Sequence, residues 1–162
     1  MNCGETRGTG SASGGGDQNR KFATPCDTGA NAGGYTVSSI QIYTGAAAGK
    51  IYGAIYTDGG NNPASLVCSD TTGMTPTANQ FNTITISGCG TLSANTQYFV
   101  SVDADSATTK YIYNATPCTG VTTGAASSYG TATQTAGTWS NPFGSVAGLG
   151  QCWSYYTVLI PQ

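Results

Sequence analysis

The stretch KIYGAIYT at residues 50–57 alternates with period two. Lys50, Tyr52, Ala54 and Tyr56 stand on one side and Ile51, Gly53 and Ile55 on the other, as in a β-strand whose successive side chains point to opposite faces. It ends in DGGNNP (58–63), a turn made of residues that tolerate tight backbone conformations. Working outward, YTVSSIQIY (35–43) precedes it across the small-residue loop TGAAAG, and SLVCS (65–69) follows it. FNTITIS (81–87) puts Ile84 and Ile86 on one face. LSANTQYFVSVDAD (92–105) sets Tyr98, Val100 and Val102 against Phe99, Ser101 and Asp103. KYIYNA (110–115) and CWSYYTVLIPQ (152–162) are further runs, with additional strands expected near 20–24 and 128–135. Windows long enough for a helix are broken by Gly or Pro, or crowded with Thr. Eight or nine strands spaced by about 8–20 residues predict an all-β fold: a two-sheet antiparallel β-sandwich of jelly-roll type with very little helix.

Residues 1–34 differ in kind. GTGSASGGGD has the composition of a flexible linker, so this segment reads as an N-terminal arm with a first strand, ahead of a sandwich domain at 35–162. A Cys3 bridge or a neighbouring subunit would hold it. The start, MNCGETRGTG, lacks the apolar stretch of a signal peptide, so for an exported protein this sequence is expected to be the mature or expressed form.

Cys3, Cys26, Cys68, Cys89, Cys118 and Cys152 are even in number, widely spaced and free of any C-x-x-C pair. They read as disulfides made in an oxidising, extracellular setting, with buried free thiols as the alternative. Six cysteines allow fifteen pairings. Because successive antiparallel strands usually sit side by side, the preferred set is Cys3–Cys26, Cys68–Cys89 and Cys118–Cys152.

Only 5 Lys or Arg and 7 Asp or Glu occur among 162 residues, which is 7% charged, where a soluble domain carries about 25%. A net charge of -2 supplies no basic surface for phosphates, so nucleic acid is excluded as a partner. No apolar run is long enough for a membrane span, so no membrane insertion is expected. Histidine is absent, which removes the Ser-His-Asp and Cys-His nucleophile systems and most catalytic zinc sites. Glycoside hydrolysis uses two carboxylates about 5–9.5 Å apart, and the sole Glu, Glu5, lies in the arm. The chain is therefore expected to be no enzyme.

GGYTVSSIQIYTG (33–45), GKIYGAIYTDGGNNPASLV (49–67), FNTITI (81–86) and LSANTQYFVSV (92–102), with 155–160, resemble the jelly-roll modules of secreted bacterial surface proteins and phage virion proteins. There, a strand ending in IY-T/S-D precedes a Gly/Asn/Pro turn, and L-x-A-x-T-x-Y-x-x-V marks a later core strand. The resemblance implies a carbohydrate binder, an adhesion domain, or a coat or filament subunit, and a shared fold does not choose among them.

Asp103 and Asp105, on one strand face, and Asp58, with Asn61 and Asn62 in its loop, are the hard oxygen ligands that a calcium ion, the only cofactor considered, would use. A solvated strand end and polar turn is the plainer reading. Trp139 and Phe143 in TWSNPFGS (138–145), with Tyr111, Tyr113 and Tyr129, are the candidate sugar-stacking rings, each of which could equally be core. Asn114-Ala115-Thr116 is the only N-glycosylation sequon.

Three lysines protect few sheet edges, the low net charge does little to keep copies apart, and an arm and a hydrophobic C-terminal strand could serve strand addition. The favoured expectation is a structural or adhesive subunit that assembles with copies of itself into a filament or coat. The alternative is a carbohydrate-binding module of a secreted protein, whose partner is a polysaccharide or surface glycan. Ice binding or an unrecognised enzyme remain beyond these two.

Overall fold

The computed structural model describes residues 1–12, 18–114, 118, 129–145, 147–148 and 151–162. Among these are fourteen strands and no helix. In chain order they are β1 (Asn2–Gly4), β2 (Ser11–Ala12), β3 (Arg20–Asp27), β4 (Tyr35–Ala46), β5 (Ile51–Asp58), β6 (Pro63–Ser69) and β7 (Gln80–Thr85). The second half holds β8 (Thr91–Leu92), β9 (Gln97–Ala104), β10 (Lys110–Asn114), β11 (Tyr129–Thr133), β12 (Ala147–Gly148), β13 (Cys152–Trp153) and β14 (Tyr155–Pro161). The nine strands of five or more residues coincide with the runs read from the sequence, β11 covering the expected 128–135. The other five are two or three residues long, too short for a period-two pattern to register.

The strands form two antiparallel sheets. The first runs β1-β14-β4-β10-β13, with β7 and β8 also on β4 and β2 on β10; the second runs β12-β11-β3-β9-β5-β6. A two-sheet antiparallel sandwich is thus what the chain builds, while the strand order does not establish the jelly-roll subtype. Twelve residues long, β4 is the spine of the first sheet, with β14 along one side and β7 along the other. Pro25 lies in β3 past Ala23, the last residue of the strand that pairs with β11, so its missing N–H removes no ladder bond among the described residues.

Between the sheets lies the main core, including Ile40, Ile42, Ile51, Ile55, Ile84, Val100, Val102, Tyr111, Trp153 and Tyr155. The face read as Ile51, Gly53 and Ile55 points into it. At Gly53 the packing is close: a Cβ there would sit 2.9 Å from Ile40 Cδ1 and 3.3 Å from Ile84 Cδ1, so those side-chain ends would have to shift.

The division into an arm at 1–34 and a sandwich at 35–162 needs correction. β1 pairs with β14, β3 is interior to the second sheet, and Cys3 is buried. Glu5, expected in a mobile segment, is fully buried, its backbone N–H donating to Tyr155 O and its carboxylate paired with Arg7 at 2.5 Å. The bridges are Cys3–Cys26, Cys68–Cys89 and Cys118–Cys152, the sequence-neighbour set. Cys3–Cys26 ties β1 of one sheet to β3 of the other. Closing such a loop removes conformational freedom from the unfolded chain, so the Cys3→Ser/Cys26→Ser double variant is expected to lose about 2–5 kcal/mol in urea unfolding. Unchanged stability would show that this bridge contributes nothing.

Candidate functional site

The outward face of the second sheet should have met solvent, yet β9 is buried along its whole length. Its cover is the chain's own segment 134–145. Phe143 and Trp139 fold back over Ala23, Ala54, Tyr56 and Phe99 as a second apolar cluster, Phe143 meeting Tyr56 edge-on at 4.9 Å. Phe143, expected on an exposed loop, is 1% exposed because that apolar face needed a lid. Trp139 is half-buried, and its indole N–H donates to Asp70 O at 2.9 Å, so its ring packs on the second cluster with part of it left exposed.

Polar anchors hold the lid. Lys21, 2% exposed, donates to Ser140 Oγ and, at 2.6 Å, to Phe143 O, with its ammonium 4.3 Å from the centre of the Phe143 ring. The Tyr56 hydroxyl donates to Ser140 O. Gln134 donates to Asp103 Oδ2 at 2.8 Å, and Ala104 N–H to Asp103 Oδ1. At Gly137 the chain turns with φ +74° against the Tyr52 ring, where a Cβ would come within 2.8 Å. Burial pushes Lys21 down to about 8, partly opposed by the Asp103 charge. Burial likewise raises Asp103, opposed by its hydrogen bonds from Gln134, Ala104 and Gly137 and by Lys21. The lid also covers the β6 edge, as Phe143 N–H donates to Ala64 O and Leu66 N–H to Asn141 Oδ1.

The remaining sequence candidates scatter. Tyr111, fully buried, packs edge-on against Phe22, Trp153 and Tyr155 in the core, because it is an inward residue of β10. Tyr113 is half-buried against Trp153 at 5.2 Å. Tyr129 pairs with Ala23, and its side chain lies outside the described residues. Asn114 Nδ2, the atom a glycan would occupy, is buried. Asp58 accepts from Asn61 and Asn62 N–H and closes its own turn. Asp103 sits opposite Tyr52, six residues along β5 from Asp58, so the two carboxylates are separated by roughly 20 Å of strand. Asp105 accepts from Lys50 N–H and from the Tyr52 hydroxyl, which burial first and Asp105 second push up. These aspartates therefore form no common calcium cage, and among the described residues no group of three or more His, Cys, Asp or Glu is placed to hold a metal ion.

Two surfaces stay open. β7 pairs with β4 on one side and, among the described residues, with no strand on the other. A groove of about 360 Å³ follows that free edge, lined by Thr83, Ile84, Thr85 and Ser87 and by Asp70, Gly73 and Met74 of the connection after β6. On the outer face of the same sheet Tyr43, Phe81 and Tyr156 form a row of touching rings that the sequence reading missed. Alternation in FNTITIS did hold a signal, since Phe81 and Thr83 must oppose the inward Ile84.

Comparison with protein-family models, curated proteins and solved structures finds no match. No helix among the described residues is long and apolar enough to cross a membrane, and three disulfides point to an oxidising setting.

Lys21 gives a pH signature. An unfolded lysine keeps its proton to about 10.5, whereas folded Lys21 releases it near 8, so between these values the unfolded chain binds more protons and stability rises with pH. Above pH 10 the sign reverses, since burial raises Tyr52, Tyr56 and Tyr156 and unfolded tyrosines ionise first. Urea midpoints are expected to climb from pH 8 towards pH 10 and then fall, with the climb lost in Lys21→Met. A flat native profile over that range would refute the buried-lysine account.

Proposed function

We propose that the chain is a non-catalytic extracellular structural subunit that assembles with copies of itself through the edges of its first sheet. The observation that carries this reading is β7, QFNTIT, an open edge with no Lys, no Pro and no bulge in its pairing with β4. Lys21 is buried and Lys110 lies on another strand; Lys50 reaches the rim of the groove, its ammonium donating to Thr72 O, but no lysine lies on β7 itself.

Strand directions favour an open assembly. Across β1, β14, β4 and β7 every pairing is antiparallel, so the directions alternate over four strands. A copy displaced by simple translation would bring its β1 antiparallel to β7, continuing the sheet from subunit to subunit. Such head-to-tail contacts propagate instead of closing. The groove beside β7 gives the incoming backbone room, and backbone hydrogen bonds supply the affinity.

Purified, oxidised protein is expected to form regular filaments by electron microscopy and large species by sedimentation. Thr85→Lys, which places a charge on the free edge, should leave a folded monomer. A native chain that stays monomeric at high concentration, or polymers unaffected by Thr85→Lys, would overturn the proposal.

A further inference from the structure

We propose that the outer face of the first sheet is a docking platform for a neutral polysaccharide, a site independent of the β7 edge contacts. In one register row Tyr156 of β14 lies beside Gln41 of β4 and Thr83 of β7; in the next, Tyr43 lies beside Phe81. Tyr43 and Phe81 meet at 5.2 Å with planes at 87°, and Phe81 and Tyr156 at 5.2 Å with planes at 69°. Turned against one another, the rings offer ring faces and edges side by side, and all three are half-buried, so each keeps part of its surface exposed.

Polar groups border the rings in a fixed arrangement. Gln41 Nε2 donates to Thr83 Oγ1 at 3.0 Å, and the Tyr43 hydroxyl donates to Asn79 O at 2.9 Å. Aromatic faces that stack on a sugar's C–H surface, beside an amide and hydroxyls that can exchange hydrogen bonds with its OH groups, are the chemistry that recognises a carbohydrate.

Charge selects the class of ligand. β1, β4, β7 and β14 contain no charged residue at all, so the platform neither attracts an anionic polymer nor compensates one, and its complement is uncharged. A protein face is the poorer fit: the only large hydrophobics exposed among the described residues are Met1 and Ile160, outside the ring row, whereas the centre of a protein interface is strongly apolar. The segment around Gly8 packs against the Tyr43–Phe81 end of the row, a Cβ there falling 2.7 Å from the Tyr43 ring and 3.1 Å from the Phe81 ring, with the neighbouring Arg7 paired to Glu5, so the Tyr156 end is the part that segment leaves uncovered.

The test is retention of the oxidised full chain on insoluble cellulose, chitin, xylan, mannan and starch, with Phe81→Ala, Tyr156→Ala, Gln41→Ala and Trp139→Ala alongside. Native protein is expected to bind at least one of these, with about tenfold weaker retention for Phe81→Ala and Tyr156→Ala at unchanged circular dichroism. Trp139→Ala, on the opposite sheet, should bind as native does. Retention should also survive about 1 M NaCl, where charge-driven adsorption is screened away. Should Phe81→Ala fail to fold, Tyr156→Ala and Gln41→Ala decide. The idea falls if no polysaccharide retains the chain, if both ring variants bind normally, if salt abolishes binding, or if the ring variants change sedimentation instead of retention.

Discussion

Burial of β9 on both faces is the constraint from which the rest of the molecule follows. One face, Tyr98, Val100 and Val102, packs into the sandwich; the other carries Phe99 at its centre. A two-sheet sandwich covers only the first of these, so a second cover is obligatory. The chain supplies it with segment 134–145, and a loop laid over an apolar sheet must find partners for its backbone groups. Lys21 is the side chain long enough to rise from β3 and take the Phe143 carbonyl and the Ser140 hydroxyl together. The charge is desolvated as a result, and its lowered pKa records that cost.

Putting charge inside a chain with so little of it changes the exterior. Lys21, Asp103 and Glu5 are all buried, so the outside is even less charged than the 7% composition implies. Hydroxyls and amides carry the solvation, and β1, β4, β7 and β14 of the first sheet are left without a charge on either side. Electrostatic repulsion, the usual means of keeping like surfaces apart, is therefore weakest at the sheet whose edge and face are both open.

Much of this was legible in the sequence. Period-two alternation and turn signals located the nine long strands, and proximity along the chain selected the correct disulfides, although none of the three bridges joins two strands paired in one sheet. The lid was not legible. Asp103 and Ser101 alternate with Val100 and Val102 as solvent-facing residues do, and nothing local reveals that a loop thirty residues on will cover them. Phe143 was misread for the same reason: its Pro/Gly/Asn neighbours signal a loop, and loops are ordinarily exposed. Conversely, Tyr43, Phe81 and Tyr156 come from three separate strands, and only register puts them in one row; the sequence holds each ring's direction but not its neighbour.

The two sheets thus end in different conditions, and the bridges determine what that allows. With Cys3 bonded to Cys26, β1 cannot leave β14 and pair elsewhere without breaking a covalent link between the sheets. Exchange of an N-terminal arm between subunits would therefore have to break and re-form that bridge. Contacts of the kind proposed for the first sheet would then add to a completed fold, using the β7 edge and the ring face as they stand. Binding to preformed surfaces costs little ordering entropy. A chain this poor in charge and in large exposed apolar patches can therefore gain partners by backbone pairing and ring stacking, with no need to unfold first.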